Sequence, residues 1–466
     1  MSAPEGRDYG SFRDPAGHVF RRDGTLFRQV NSVYKPHYER FMSSGLYDRL
    51  ASDGLLIPHA ETDDVEADSD KSFKVLRPKQ VPFISYPYEW SFSQLHDAAL
   101  LTLRVQETAL RFDMSLKDAT AFNVQFLGGK PVLIDTLSFE IVRPGEPWPA
   151  YRQFCRHFLA PLALTSMVNA GLGRLARLHL DGIPLDLTAR LLPLRARLRP
   201  SLLSHIFLHA RFETWAEKRS SRIPREKRGS VSERARLGIL DSLRSSVSGM
   251  QSTPIRTVWS EYYRNSRYSA EAFHEKQRIV RKFLDQCPAD KPVWDLGANI
   301  GLFSRMASQG NRLTLSLDSD PEAVDQNYRI TKAEGAGNVL PLLVDLLNPS
   351  PSIGWNGRER KSIFDRIRPD ATVLALALIH HLAIGQNLDF QRLAKFFRRL
   401  GGHLIVEFVP KEDSQVRRML RFRDDIFKDY HEDHFRREFE REFTILKKRS
   451  VGDTGRRLYL MQAGIP

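Results

Sequence analysis

The sequence predicts an α/β protein in two parts: an α+β region, then an open sheet of mostly parallel strands with helices between them. Three observations carry this expectation. From Pro292 to Leu400, short apolar runs alternate with stretches of helical spacing, the pattern of successive βα units. A glycine-bearing turn, Asp295-Leu-Gly-Ala-Asn-Ile-Gly301, joins the first of those runs to a helix that opens near Leu302. A Ser/Arg-rich tract over residues 219–230, nearly free of large apolar side chains, separates the two parts.

At 466 residues the chain exceeds what one ordinary core organises. A hydrophobic content of 41% with 27% charged residues is that of a globular protein in water. Cys155 and Cys287 stand far apart and in no ligand spacing, so neither a disulfide framework nor a metal site is expected. No apolar run approaches the roughly 20 residues that span a bilayer, and the polar opening MSAPEGRDYG is not a signal peptide. A cytoplasmic location is the expectation. The net charge of +14 is concentrated: residues 151–250 hold 18 Lys/Arg against 7 Asp/Glu. That basic region could contact an anionic surface or simply be a solvated helical face. No nucleic-acid-binding module is recognisable, and aromatics are not interleaved as stacking platforms.

In the first part, Gly17 to Val30 forms two alternating runs around Asp23-Gly24, a hairpin signal. Tyr34 to Gly54 has helical spacing, with Tyr38, Phe41, Met42, Leu46 and Leu50 on one face. Residues 61–70 carry six acids and read as a solvent loop, without the glycine and terminal glutamate of an EF-hand. Strands are expected over Ser72–Leu76 and Val81–Tyr86, and a helix over Ser93–Phe112. Then come Asp118, Asn123 five residues later, the turn Gly128-Gly129, and Asp135 ending the apolar run Pro131-Val-Leu-Ile.

That order resembles the catalytic core of protein kinases. The resemblance covers about residues 15–215 and implies that Asp118 orients an attacking hydroxyl while Asn123 and Asp135 hold Mg²⁺ on ATP phosphates. The sequence departs from the kinase pattern in three ways. Leu116 stands where a histidine belongs, Asp135-Thr-Leu replaces Asp-Phe-Gly, and neither a glycine-rich loop nor a strand lysine is evident, Arg28 being the nearest base. An ordinary hairpin with acids at these spacings is the alternative. Residues 151–210 read as helices broken at Gly171, Pro184 and Pro193, and Ser230–Met250 as a connecting helix.

In the second part, Leu313–Leu317 ends in Asp318, and Val339–Val344 ends in Asp345. An acid ending the second strand can accept hydrogen bonds from both ribose hydroxyls. Further strands are expected over Ala371–Ile379 and His403–Val409, flanking a helix over Asp389–Leu400. Phe443–Lys448 and Arg457–Met461 come next without an intervening helix, as an antiparallel pair would.

Residues 256–466 resemble a class I S-adenosylmethionine-dependent methyltransferase and, more loosely, through Asp345-Leu-Leu-Asn-Pro-Ser-Pro351, Gly354-Trp355 and Leu376–Leu382, the rhizobial nodulation-type methyltransferases. The family implies a Rossmann-like seven-stranded sheet with its last strand inserted antiparallel. On that resemblance Asp295, Gly297, Ala298, Asn299 and Gly301 form the glycine-rich cofactor motif, Asp318 holds the ribose, and Asp345-Leu346 reads the adenine. Aromatics and bases upstream of the first strand, over Thr257–Arg264 with Tyr268 and Phe273–Phe283, often cover the cofactor in this family, or else pack on the sheet edge. Methyl transfer requires an aligned nucleophile and, for a protonated acceptor, a base. His380 and His381, at the expected end of the fourth strand, are base candidates, with Glu407 in the fifth strand as another. Packing against the cofactor or metal binding are other roles for the two histidines. The layout implied is an N-terminal domain over 1–215, a basic linker over 216–255 and a methyltransferase over 256–466. The acceptor expected is a hydroxyl of a small molecule or glycan. ATP-dependent phosphotransfer by the N-terminal domain and a non-catalytic scaffold are the competing functions.

Overall fold

The computed structural model describes residues 6–65, 67–219, 230–252, 269–421 and 424–464. The chain divides into two compact units, Met1–Pro254 with Ser350–Ser362, and Ile255–Pro349 with Ile363–Pro466. A short segment of the later sequence therefore packs as part of the first unit.

The first unit opens with a five-stranded sheet in the order β1-β2-β3-β5-β4, with every neighbouring pair antiparallel. Its strands are β1 (Gly6–Arg7), β2 (Gly17–Arg22), β3 (Thr25–Asn31), β4 (His59–Glu61) and β5 (Ser72–Pro78). Asp23 and Gly24 turn β2 into β3 with both φ angles positive, 48° and 73°, which matches the twist of the flanking strands. The helix expected over 34–54 is two helices, Lys35–Ser43 and Leu46–Ser52. The break falls at Gly45, whose φ of 83° no helix interior accepts. No strand forms over Val81–Tyr86. Pro82 lacks a donor for a ladder, and the Ser85 N–H donates instead to the buried Gln125 side chain.

The long Phe92–Leu110 helix starts at a capping box, Ser91 and Gln94 each bonding the other's backbone. After it come β6 (Met114–Leu116), the hairpin β7 (Val124–Leu127) with β8 (Lys130–Leu133), and β9 (Phe139–Ile141), which pairs antiparallel with β6. Short helical turns then run from Tyr151 to Arg219, and a further helix spans Glu233–Ser248. Part of the expected basic linker, residues 220–229, lies outside the described residues, as do the aromatics from Thr257 to Tyr268.

The second unit is a seven-stranded sheet in the order β12-β11-β10-β13-β14-β16-β15. Its strands are β10 (Val293–Leu296), β11 (Thr314–Asp318), β12 (Val339–Leu343), β13 (Ala371–Ala375), β14 (Gly401–Phe408), β15 (Phe443–Ser450) and β16 (Arg457–Ala463). The first five are parallel; β16 lies antiparallel between β14 and β15. β10 and β13 are fully buried, as strands covered on both faces must be. Strand order reverses at β10, with β11 on one side and β13 on the other, so a crevice opens at the C-terminal ends of these strands. The Ala270–Leu284 helix buries Ile279, Val280, Phe283 and Leu284 against Val293, Leu374 and Ile405 of the sheet.

Candidate functional site

At the end of β10 the chain turns through Gly297 and Gly301, with φ of 71° and 72°, into the Leu302–Ala307 helix. Gly301 has no room for a side chain: a Cβ there would lie 2.1 Å from Asn327 Oδ1. Beneath the turn runs a buried chain of hydrogen bonds. The Ser304 hydroxyl donates to Asp295 Oδ2 at 2.6 Å and lies 2.6 Å from Ser316 Oγ, which accepts from Asn327 Nδ2 at 2.7 Å. Burial pushes the Asp295 carboxyl up to about 7, although the Ser304 bond opposes this. Asp295 thus sits under the loop, supporting it.

Asp318, at the end of β11, faces the same turn. Its Oδ2 accepts the Asn299 N–H at 2.8 Å and its Oδ1 the Asp320 N–H at 2.9 Å. Burial raises its pKa against the pull of those donors. Asn299 takes a φ of 53°, and Ala298 is buried. Asp345 comes just after β12 and accepts the Leu347 N–H at 3.0 Å, with Leu346 partly exposed beside it. β11 and β12 are neighbours, so both acids stand at one edge of the sheet.

His380 and His381 do not end a strand. β13 stops at Ala375, Ala377 turns the chain with a φ of 51°, and the histidines lie in the first turn of the Ile379–Gln386 helix. The long apolar run concealed this turn. Their rings lie 4.0 Å apart between centroids. Burial holds His381 down to about 4 and His380 well below the ordinary imidazole range, Arg456 adding to both shifts. His380 Nδ1 is buried with no hydrogen-bond partner among the described residues.

Glu407, fully buried in β14, is clamped by two cations: Lys276 Nζ at 2.6 Å and Arg456 Nη1 at 3.5 Å. Arg456 also bonds Asp413 at 2.8 Å. The sequence expectation of a base at Glu407 takes it for a lone strand acid; the structure instead places it in a buried ion-pair network with Lys276 and Arg456. Sequence reading missed Lys276, Arg456, Ser304, Ser316 and Asn327. Ser316, a polar residue at a buried position of an apolar strand, was the one visible signal.

In the first unit, Asp118, Asn123 and Asp135 converge. Ser138 Oγ accepts from Asn123 Nδ2 at 3.1 Å and itself donates to Asp135 Oδ2. Arg28 of β3 ion-pairs with Asp135 Oδ1. Burial, then the Asp135 charge, raise the Asp118 pKa, while a bond from Asn123 opposes the rise. The segment 350–362 packs within this same unit: Glu359 takes Arg13 through both oxygens at 2.9 and 3.0 Å, and Arg360 lies over the Phe122 ring at 4.5 Å.

Five parallel strands with an antiparallel strand inserted beside the fifth, a glycine turn after the first and an acid after the second define a class I methyltransferase fold, joined to a further α+β unit. The chain is 35% identical over 476 residues to nodulation protein NoeA of Rhizobium meliloti strain 1021, covering 98% of this chain and 96% of that one. At that identity over nearly its full length, it belongs to the NoeA family. No family model matches the chain. Among solved structures, it is similar to the bifunctional kinase-methyltransferase WbdD, 13% identical over 45% of this chain and 43% of that one, with a TM-score of 0.30. It is also similar to magnesium protoporphyrin IX methyltransferase ChlM of Synechocystis PCC 6803, determined with bound SAH, 15% identical over 44% of this chain and 92% of that one, with a TM-score of 0.30. Similarities this distant add nothing to the functional reading.

Proposed function

We propose that the second unit is an S-adenosylmethionine-dependent methyltransferase acting on a hydroxyl of a small molecule or glycan. One observation carries the reading: the positive-φ turn over Gly297–Gly301 and the carboxylate of Asp318 meet at the point where strand order reverses, with Asp345 on the next strand. The residues fit the cofactor. The Asp318 carboxylate accepts the backbone N–H groups of Asn299, Asp320 and Ser319, which leaves acceptor capacity for a ribose hydroxyl. Asp345 offers an acceptor to an adenine amino group, with Leu346 beside it.

When bound, the cofactor supplies an electrophilic methyl group on sulfur. The protein's part is alignment. Deeply buried and held neutral, His380 can accept a hydrogen bond from an acceptor hydroxyl at its orphaned Nδ1 and so orient the oxygen. The burial that keeps the ring neutral also makes it a weak base, so its part is positioning. His381, packed against it, sets the ring's position. Calorimetric titration of S-adenosylmethionine tests the cofactor assignment. Micromolar binding weakened at least tenfold by Asp318→Ala, about 1.4 kcal/mol, and also by Asp345→Ala, supports the reading; equal affinity in all three proteins refutes it.

The run of contacts from Asp118 through Asn123 and Ser138 to Asp135 favours a second reading for the first unit, a kinase-like phosphotransfer site that takes Mg²⁺ and ATP. Two carboxylates crowded in a buried place call for a cation, which Arg28 supplies in part. Fluorescent ATP-analogue binding that requires Mg²⁺ and disappears in Asp135→Ala supports this reading. Metal-independent binding, or none, refutes it.

A further inference from the structure

The helical region after the kinase-like hairpins carries an apolar surface that water does not favour. Leu178, Leu194 and Leu198 are 72%, 75% and 83% exposed, and Leu208, Phe212 and Trp215 are exposed as well. Single exposed leucines are ordinary; these six large apolar side chains, exposed between Leu178 and Trp215, are not. Two contacts hold those segments together. Arg195 donates to the Met167 carbonyl at 3.4 Å, and the Arg197 guanidinium lies over the Phe207 ring at 5.2 Å. The turn Leu194–Leu198 is thereby seated between the end of the Ala160–Met167 helix and the Leu203–Leu208 turn.

Charge alternates with the leucines. Residues 168–215 contain seven arginines and three acids. One of those acids, Glu213, is already engaged by Arg152 and Arg156. Arg190, Arg197 and Arg199 are exposed, with no carboxylate partner among the described residues. Leucine tips flanked by uncompensated guanidiniums suit a surface that is anionic outside and apolar just beneath. A nucleic acid offers the charge without the apolar layer, and an acidic protein face seldom offers both.

We propose that residues 168–215 dock the protein onto an anionic phospholipid surface, the leucines entering the headgroup boundary and Arg190, Arg197 and Arg199 meeting lipid phosphates. The test is cosedimentation of the full chain with phosphatidylcholine vesicles, with and without phosphatidylglycerol. The expected result is binding to the mixed vesicles, little binding to pure phosphatidylcholine, and release as salt is raised. Arg190→Gln with Arg199→Gln, which leaves the Arg195 and Arg197 contacts in place, should lower the partition coefficient roughly thirtyfold. Leu194→Asp with Leu198→Asp should abolish binding. Ile426→Asp, at an exposed apolar residue of the second unit, should leave it unchanged. Circular dichroism checks that the variants fold; if the leucine pair does not, the arginine variant and the salt titration decide. Failure to cosediment with anionic vesicles, or binding indifferent to these substitutions, overturns the proposal. So does a concentration-dependent dimer in sedimentation velocity that the leucine pair dissolves, since the patch would then belong to a second copy.

Discussion

Gly301→Ala should cripple cofactor binding, and Gly297→Ala should do so less. Both residues sit at positive φ, where an alanine costs about 1–2 kcal/mol. The difference lies in what a Cβ would meet. At Gly301 it would fall 2.1 Å from Asn327 Oδ1 and 2.5 Å from Nδ2, so Asn327 must move. Moving it breaks the 2.7 Å bond to Ser316 and strands a buried polar group, a further cost of about 1–3 kcal/mol. At Gly297 the nearest atom is Leu378 Cδ1 at 3.2 Å, which a rotamer adjustment relieves. If the strained loop relaxes out of its binding shape, that free energy must be supplied again on binding. About 2 kcal/mol corresponds to a roughly thirtyfold weaker Kd. Calorimetry with S-adenosylhomocysteine should show Gly301→Ala at least thirtyfold weaker than wild type and weaker than Gly297→Ala. Adding Asn327→Ala to Gly301→Ala, which removes the obstructing amide, should recover part of the loss. Two single variants within threefold of wild type, or the reverse ranking, would refute the reasoning.

Lys276→Met leaves Glu407 buried beside Arg456 alone and should destabilise by about 3–5 kcal/mol, read as a lowered thermal midpoint. Lys276→Met with Glu407→Leu should recover most of it, whereas a catalytic Glu407 would leave that pair stable but inactive. His157 of the first unit is held down to about 3 by burial, so the unfolded chain binds its proton first. Its contribution is complete above pH 6.5 and is lost as pH falls from there towards 3, about 2 kcal/mol by pH 5. Thermal scans of His157→Gln should therefore lose less stability between pH 7 and 5 than wild type; an identical slope would exclude this group. Arg28→Ala removes the cation on Asp135 and should raise Mg²⁺ affinity at the first unit if that cluster is a metal site, as Mn²⁺ titration by electron paramagnetic resonance would show.

The second unit's sheet was legible in the sequence because each parallel strand, buried on both faces, must be a continuous apolar run with a helix after it. Asp318 and Asp345 stood out as carboxylates ending such runs. The same rule misled at Ala371–Ile379, where an apolar helix start comes directly after an apolar strand and only the backbone turn at Ala377 divides them. The ion pairs of Glu407 were hidden because Lys276 and Arg456 come from distant elements, and sequence spacing says nothing of which charges fold into contact. The packing of residues 350–362 with the first unit was equally invisible, because it depends on Glu359 finding Arg13, 346 residues away in sequence.

Hydrogen–deuterium exchange of the full chain, with and without S-adenosylhomocysteine, tests the proposed cofactor site where it lies. Slowed exchange in peptides spanning Leu296–Leu302, Asp318–Asp320 and Asp345–Leu347 is the expected result. Protection confined to other segments, or none at saturating ligand, would contradict it.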